Sequence, residues 1–159
     1  GSVIPFFMAI AKDGILPITD NRMTRFMISL EEGVELVWHA FNDMKGGEIY
    51  VKKIPSMKVT DVALAVDDKA KQEEVGIRPG EKLHEQMIGP EDALYTYEYP
   101  GHFKILPSIN EWSHDPERVG TGIKVDPEFM YCSDSNKEWM QISELKEWIE
   151  VNRNKIGNI

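Results

Sequence analysis

One cysteine, Cys132, stands among 159 residues, so the chain cannot close a disulfide on itself, and a reducing compartment suits it. Long apolar runs are lacking as well. The longest nearly apolar stretch, Val3 to Ala11, is broken by Pro5 and is far too short to cross a bilayer, and no basic-then-apolar leader precedes it. A cytoplasmic setting without a membrane partner is the expectation. There is no basic surplus either: 18 Lys+Arg against 27 Asp+Glu give a formal charge of −9, a field that repels nucleic acid. No G-x-G-x-x-G loop occurs, and none of the tyrosines has lysine four residues on, which excludes a recognisable dinucleotide cradle and a Tyr/Lys proton-transfer pair. The four histidines lack ligand spacing. His84-Glu85 opens like a metalloprotease motif, but residue 88 is Ile, so no metal site is expected.

What is present is ordinary globular composition, 42% hydrophobic and 28% charged, enough for one domain with its own core over residues 1–159. Ser2 and Pro5 predict a capped helix to about Asp13, stopped by Gly14. Leu16–Thr19 reads as extended, Asp20-Asn21 as a turn and Met23–Ile28 as a strand. Ser29 with Glu32 is a capping box. The helix it opens carries Leu30, Val34, Val37, Trp38, Phe41 and Met44 on one face and ends at Gly46-Gly47; with the strand after it, it looks built for a parallel sheet whose other strands are not in this chain, so exposed apolar surface is the expectation. Glu48–Val51 reads as the strand of a parallel βαβ unit. Thr60 caps a helix to Val66, followed by a charged stretch from Asp67 to Glu74. Leu83–Ile88 reads as a short helix, Ala93–Tyr99 and His102–Leu106 as a hairpin, Ser108–Asp126 as a long surface loop and Phe129–Cys132 as a strand; Ser143 caps the last helix.

Two arginine-bearing segments carry the chemistry. In Arg22-Met-Thr-Arg-Phe26, Arg25 and the Thr24 hydroxyl are placed to meet one phosphate, or Arg25 forms a surface ion pair with Glu31 or Glu32. In Arg78-Pro-Gly-Glu81, Pro79 and Gly80 set a tight turn that projects a guanidinium and a carboxylate together. That is a phosphate donor beside a ribose-diol acceptor, or a plain turn with a salt bridge. Lys52, Lys53 and Lys58 add positive potential or form a solvated face, and Cys132 reads as a core residue.

The ordered segments Gly1-Ser-Val-Ile-Pro-Phe-Phe7, Pro17-Ile-Thr-Asp20, Arg22-Met-Thr-Arg-Phe26, Gly47-Glu-Ile-Tyr-Val51, Lys53-Ile-Pro-Ser-Met57 and Gly76-Ile-Arg-Pro-Gly-Glu-Lys-Leu-His-Glu85 resemble the carboxy-terminal half of the inverting UDP-N-acetylglucosamine 4,6-dehydratases. These are extended short-chain dehydrogenase/reductases of the pseudaminic acid pathway. Phe129–Ser133, Asn136 and Trp139 fit the family's tail; Met27 and Lys52 depart from it, standing where Trp and Pro are usual. The resemblance implies a mixed α/β, UDP-sugar-binding half of an extended Rossmann-type enzyme. NADP and the proton-transfer residues would belong to an amino-terminal half that partners this one, and a homo-oligomer is expected. It further implies that Arg25 and Arg78 bind the diphosphate, that Glu81 binds the uridine ribose, and that Ser2, Val3, Pro17, Ile18 and Thr19 line the nucleotide pocket. The family reaction oxidises C4 with NADP, eliminates water across C5 and C6, and returns the hydride to C6 with inversion at C5. The rival reading is a non-catalytic nucleotide-sugar binding or interaction module.

Overall fold

The computed structural model describes residues 3–156, apart from the side chains of residues 110, 111 and 113. Helix α1 (Val3–Ile10) runs into a 3-10 turn (Ala11–Asp13), followed by strands β1 (Ile15–Ile18) and β2 (Thr24–Phe26) and helix α2 (Leu30–Asp43). Then come β3 (Ile49–Lys52), β4 (Ser56–Lys58), α3 (Val59–Val66), β5 (Lys71–Glu74), β6 (Gln86–Ile88), α4 (Pro90–Ala93), β7 (Thr96–Tyr99) and β8 (His102–Ile105). A 3-10 segment (Ile109–His114), α5 (Pro116–Val119), β9 (Ile123–Lys124), β10 (Tyr131–Cys132) and α6 (Ile142–Asn152) complete the order. The chain divides into two compact units: Gly1–Met27 with Pro55–Glu85 and Ser133–Ile159, and Ile28–Ile54 with Gln86–Cys132.

In the first unit, α1, α3 and α6 pack round one apolar cluster that includes Phe7, Leu16, Ile18, Val62, Leu145 and Ile149. Leu145 and Ile149 sit one helical turn apart and are both buried, each such burial contributing about 1.5–3 kcal/mol. Gly14 ends the first helical segment as expected, at a φ of 73° that an L side chain adopts only with strain. β2 pairs antiparallel with β4, and β1 pairs parallel with β5. The second pairing corrects the reading of Asp67–Glu74 as merely charged: Lys71–Glu74 gains a backbone ladder while three of its four side chains stay exposed, a pattern that edge strands tolerate. Residues 83–88 are not helical. The Leu83 carbonyl accepts the Thr24 amide (3.2 Å) and the Glu85 carbonyl accepts the Ser133 amide (2.8 Å), so tertiary pairing captures the segment in extended form. Both caps fall two residues earlier than expected, at Lys58 in place of Thr60 for α3 and at a Gln141–Glu144 box in place of Ser143 for α6.

The second unit holds a four-stranded sheet in the order β3-β8-β7-β9 and a separate antiparallel pair, β6 with β10. Every neighbour in the sheet is antiparallel, so β3 is not a strand of a parallel βαβ unit within this chain. The expected hairpin is present as β7 and β8, turning at Gly101 with φ 82°. Residues 108–126, expected to be a loop, hold two helical turns and β9. They are anchored by Arg118, whose buried guanidinium meets Glu48 at 2.6 Å and lies 4.0 Å from the Trp112 ring centroid. Phe103 packs its ring against Phe129 and Tyr131, each at 5.1 Å. The Ser29–Glu32 capping box of α2 forms as read, and all six residues of the apolar stripe are exposed. The opposite side of α2 meets the sheet instead: Asp43 accepts from Tyr50 (2.6 Å) and Lys104 (2.9 Å), Glu32 pairs with Lys52 (3.9 Å), and the His39 ring lies 4.6 Å from that of His102.

Candidate functional site

A cavity of about 580 Å³ opens in the first unit, within the size range of small-ligand sites. Of the nine residues expected at a nucleotide pocket, Val3, Pro17, Thr19, Arg25, Arg78 and Glu81 line it. Ser2 lies outside the described residues. Strand alternation accounts for the other two. Pro17 and Thr19 share the cavity face while Ile18, between them, is fully buried in the core. Thr24 points away from Arg25, and its hydroxyl is bonded to His84 Nδ1 (2.8 Å) and Ser133 Oγ (2.7 Å). Ile18 and Thr24 therefore support the wall from behind.

Arg78-Pro-Gly-Glu81 is a type II turn. Pro79 occupies its second position, Gly80 its third at φ 84°, and the Glu81 amide donates to the Arg78 carbonyl at 3.0 Å. The Glu81 carboxylate accepts the Arg78 amide at 3.3 Å. The Arg78 side chain has no ion pair or hydrogen bond among the described residues and lines the cavity with its charge uncommitted.

Arg25 is committed. Its Nη1 donates to the carbonyls of Thr24 (2.7 Å) and Leu83 (3.2 Å), and its Nη2 donates to the Lys82 carbonyl (3.0 Å) and Met23 Sδ (3.1 Å). Of the five guanidinium N–H bonds, that leaves Nε–H, 3.8 Å from Glu85. The ion-pair partner of Arg25 is Glu85, which also accepts the Phe26 amide at 2.8 Å. Arg25 thus staples residues 82–85, and with them the arginine turn, onto β2. Arg22 is likewise engaged, its guanidinium holding Asp20 through bonds of 3.0 and 2.8 Å. These bonds, together with the Arg22 amide, bring the Asp20 carboxyl down to about 2 and fix the turn between β1 and β2. Lys52 and Lys53 are taken up by Glu32, Glu35 and Glu98.

The apolar lining escaped the sequence reading. Phe6 and Phe7 of α1, Met57 of β4 and Val59 of α3 face the cavity; as hydrophobic residues in regular elements they carry no mark that separates them from core. Glu85 closes the Arg78–Glu85 segment and had that position as its signal. Among the described residues no group of three or more His, Cys, Asp or Glu side chains is placed to hold a metal ion, and no helix is long and apolar enough to cross a membrane.

The chain is 47% identical over 156 residues to the UDP-N-acetylglucosamine 4,6-dehydratase (inverting) of Campylobacter jejuni, covering 94% of this chain and 47% of that protein. It is similar to a UDP-glucose 4-epimerase of Rickettsia akari, 37% identical over 110 residues, covering 66% of this chain and 32% of that protein. Among solved structures, Pen from Bacillus thuringiensis matches with a TM-score of 0.80 at 27% identity over 99% of this chain and 47% of its own, and shares the mixed α/β fold. The chain spans about half the length of the C. jejuni relative and of Pen. The family model described as polysaccharide biosynthesis protein matches residues 1–107, and with two thirds of its residues inside that match the chain belongs to this family.

Proposed function

We propose that the chain is the UDP-sugar-binding, carboxy-terminal part of a C5-inverting UDP-N-acetylglucosamine 4,6-dehydratase, a cytoplasmic lyase that works with NADP in nucleotide-sugar synthesis for surface glycans, on the route to pseudaminic acid. The observation that carries this reading is the uncommitted Arg78 guanidinium on the same preset turn as Glu81, lining a cavity of mixed polar and apolar walls. A planar fork matches a diphosphate, and a carboxylate four positions into the same turn accepts from a ribose diol. Because Pro79 and Gly80 hold the turn before ligand arrives, little conformational entropy remains to be lost on binding. Arg25 contributes mainly by fixing this turn, with its Nε–H nearest to spare for the ligand. Phe6, Phe7, Met57 and Val59 offer an apolar wall to the base and ribose.

Dinucleotide binding does not fit these residues. No glycine-rich loop opens a helix anywhere in the sequence, so the NADP cradle and the acid/base groups belong to an amino-terminal half, which partners this part in a homo-oligomeric enzyme. The absence of those groups from this chain is also what favours the second reading, a binding module that keeps the pocket and does no chemistry. Expressed from its whole reading frame and given UDP-N-acetylglucosamine and NADP, the protein should form a 4-keto-6-deoxy sugar nucleotide visible by NMR, while the 159-residue chain forms none. A reading frame that begins at Gly1 establishes the module instead. Turnover by the 159-residue chain itself overturns both.

A further inference from the structure

A buried chain of hydroxyl groups runs behind the cavity wall. The Glu85 amide donates to Ser133 Oγ at 2.9 Å, Ser133 Oγ lies 2.7 Å from Thr24 Oγ1, and Thr24 Oγ1 lies 2.8 Å from His84 Nδ1. Ser133 and Thr24 are 0% and 4% exposed, so water does not complete their bonding. His84, at the end of the chain, is half-buried and within reach of solvent protons.

Proton counting sets the direction of this chain. A backbone amide only donates, so Ser133 Oγ accepts at that end, and each hydroxyl has one proton to give. When Ser133 gives its proton to Thr24 and Thr24 gives its own to Nδ1, every proton has an acceptor. That order requires a bare Nδ1, with the imidazole proton on Nε2. An imidazolium donates from both nitrogens and turns the chain round: Nδ1–H gives to Thr24, Thr24 gives to Ser133, and the Ser133 proton is left without an acceptor among the described residues. A buried donor without a partner is a state that folded proteins avoid.

We propose that His84 is a positioning residue for nucleotide-sugar binding: its neutral imidazole, protonated on Nε2, holds residues 83–85 and through them the Arg78 turn, and uptake of a proton at Nδ1 loosens both. The inference deepens the functional reading above and rests on it for the ligand. His84 sits where such a hold matters. On one side of it the Leu83 carbonyl accepts the Thr24 amide at 3.2 Å, and on the other the Glu85 carbonyl accepts the Ser133 amide at 2.8 Å. The Arg78–Glu81 turn joins this held segment through Lys82 alone. Among the charged groups around it, Asp20 is near enough for its field to reach the imidazole and is bound by Arg22 at 2.8 Å. Arg25 donates to the Leu83 and Lys82 carbonyls, and Glu85 is taken up by Arg25 and the Phe26 amide. Simple attraction has the opposite sign: an imidazolium behind the wall would draw a diphosphate in, whereas the reversed chain weakens its hold.

The test is calorimetry with UDP-N-acetylglucosamine, whose diphosphate is esterified at both ends and does not titrate near neutral pH. The protein expressed from its whole reading frame is measured at pH about 8 and about 5.5, on either side of the range in which imidazole changes charge. Parent affinity should fall at least about fivefold on acidification, the low end of an ordinary coupling between two sites. His84→Asn sets a side-chain oxygen near the place of Nδ1 that accepts from Thr24 and does not titrate, so it should match the parent at the higher pH and keep that affinity in acid. His84→Phe, with no acceptor, should bind weakly at both. Parent affinity that holds or rises in acid overturns the proposal, as does a His84→Asn protein that still weakens there or binds no better than His84→Phe. Nitrogen NMR of the histidine-labelled parent, with His84 assigned by its absence from His84→Asn, should show the Nε2–H tautomer; the Nδ1–H tautomer overturns the proposal whatever the ligand does. Binding that ignores pH sinks this inference alone. No binding by the parent at either pH sinks the functional reading, and the tautomer then decides the hydroxyl chain.

Discussion

Arg25 and Arg78 line one cavity, yet the structure assigns them different work, and paired substitutions should separate the two roles. Arg78→Lys keeps the charge and loses the planar fork. Among the described residues no ion pair or hydrogen bond uses that side chain, so the urea unfolding midpoint should stay at the parent's value. UDP affinity should fall by about 1–3 kcal/mol, the worth of a hydrogen bond to a charged group, which is roughly 5- to 150-fold in Kd. Arg25→Met keeps the stem and removes the fork from three carbonyls at 2.7–3.2 Å. The Arg25 side chain is 19% exposed, so water replaces those donors poorly, and a stability loss of about 2–4 kcal/mol is expected from unmet acceptors. UDP binding should weaken as a consequence, because residues 82–85 no longer hold the Arg78 turn in place. Denaturant titration and UDP calorimetry on the protein from its whole reading frame measure both quantities. If Arg25→Met unfolds like the parent while UDP binding disappears, Arg25 is a ligand and not a staple. If Arg78→Lys binds UDP as tightly as the parent, the turn is structural and the pocket assignment loses its strongest residue.

Glu81→Gln should weaken UDP binding less than Arg78→Lys does, since the amide oxygen still accepts from a ribose hydroxyl; a larger loss by calorimetry would show that the charge, not the acceptor, matters. Asp20→Asn should carry a pH signature. The Asp20 carboxyl is held at about 2, against an ordinary 3.8, by Arg22, so its contribution is complete above 3.8 and is lost as pH falls through the folded value. The stability gap between parent and variant should therefore be constant near neutral pH and close below the ordinary value, and a gap that widens on acidification would refute the Asp20–Arg22 account.

Local signals were legible in the sequence where the residues themselves settle the geometry. The Ser29–Glu32 box, the Pro79-Gly80 turn and the Pro100-Gly101 hairpin each depend on a few adjacent residues, and each forms as read. Lys71–Glu74 was opaque because a strand needs no apolar face when only its backbone is used. Residues 83–88 went astray because their partners, β2 and Ser133, are remote in sequence. Ile18 and Thr24 are a different matter. Strand alternation alone places Ile18 opposite Pro17 and Thr19, and Thr24 opposite Arg25, so a period-two count could have moved both out of the pocket.

The two arginines mark where local reading stops. In sequence each is a cation beside a turn, and composition treats them alike. What distinguishes them is whether carbonyl groups some 57 residues away reach the guanidinium, which no window of adjacent residues contains. The same holds for α2. Its period of apolar residues correctly forecasts a face that seeks burial, but the period does not say against what. Within this chain Asp43 and Glu32 meet the sheet and Leu36, on the same side, is half-buried, while the stripe from Leu30 to Met44 remains turned outward. An amphipathic helix is thus a statement about two surfaces, and only one of them need belong to the residues in view.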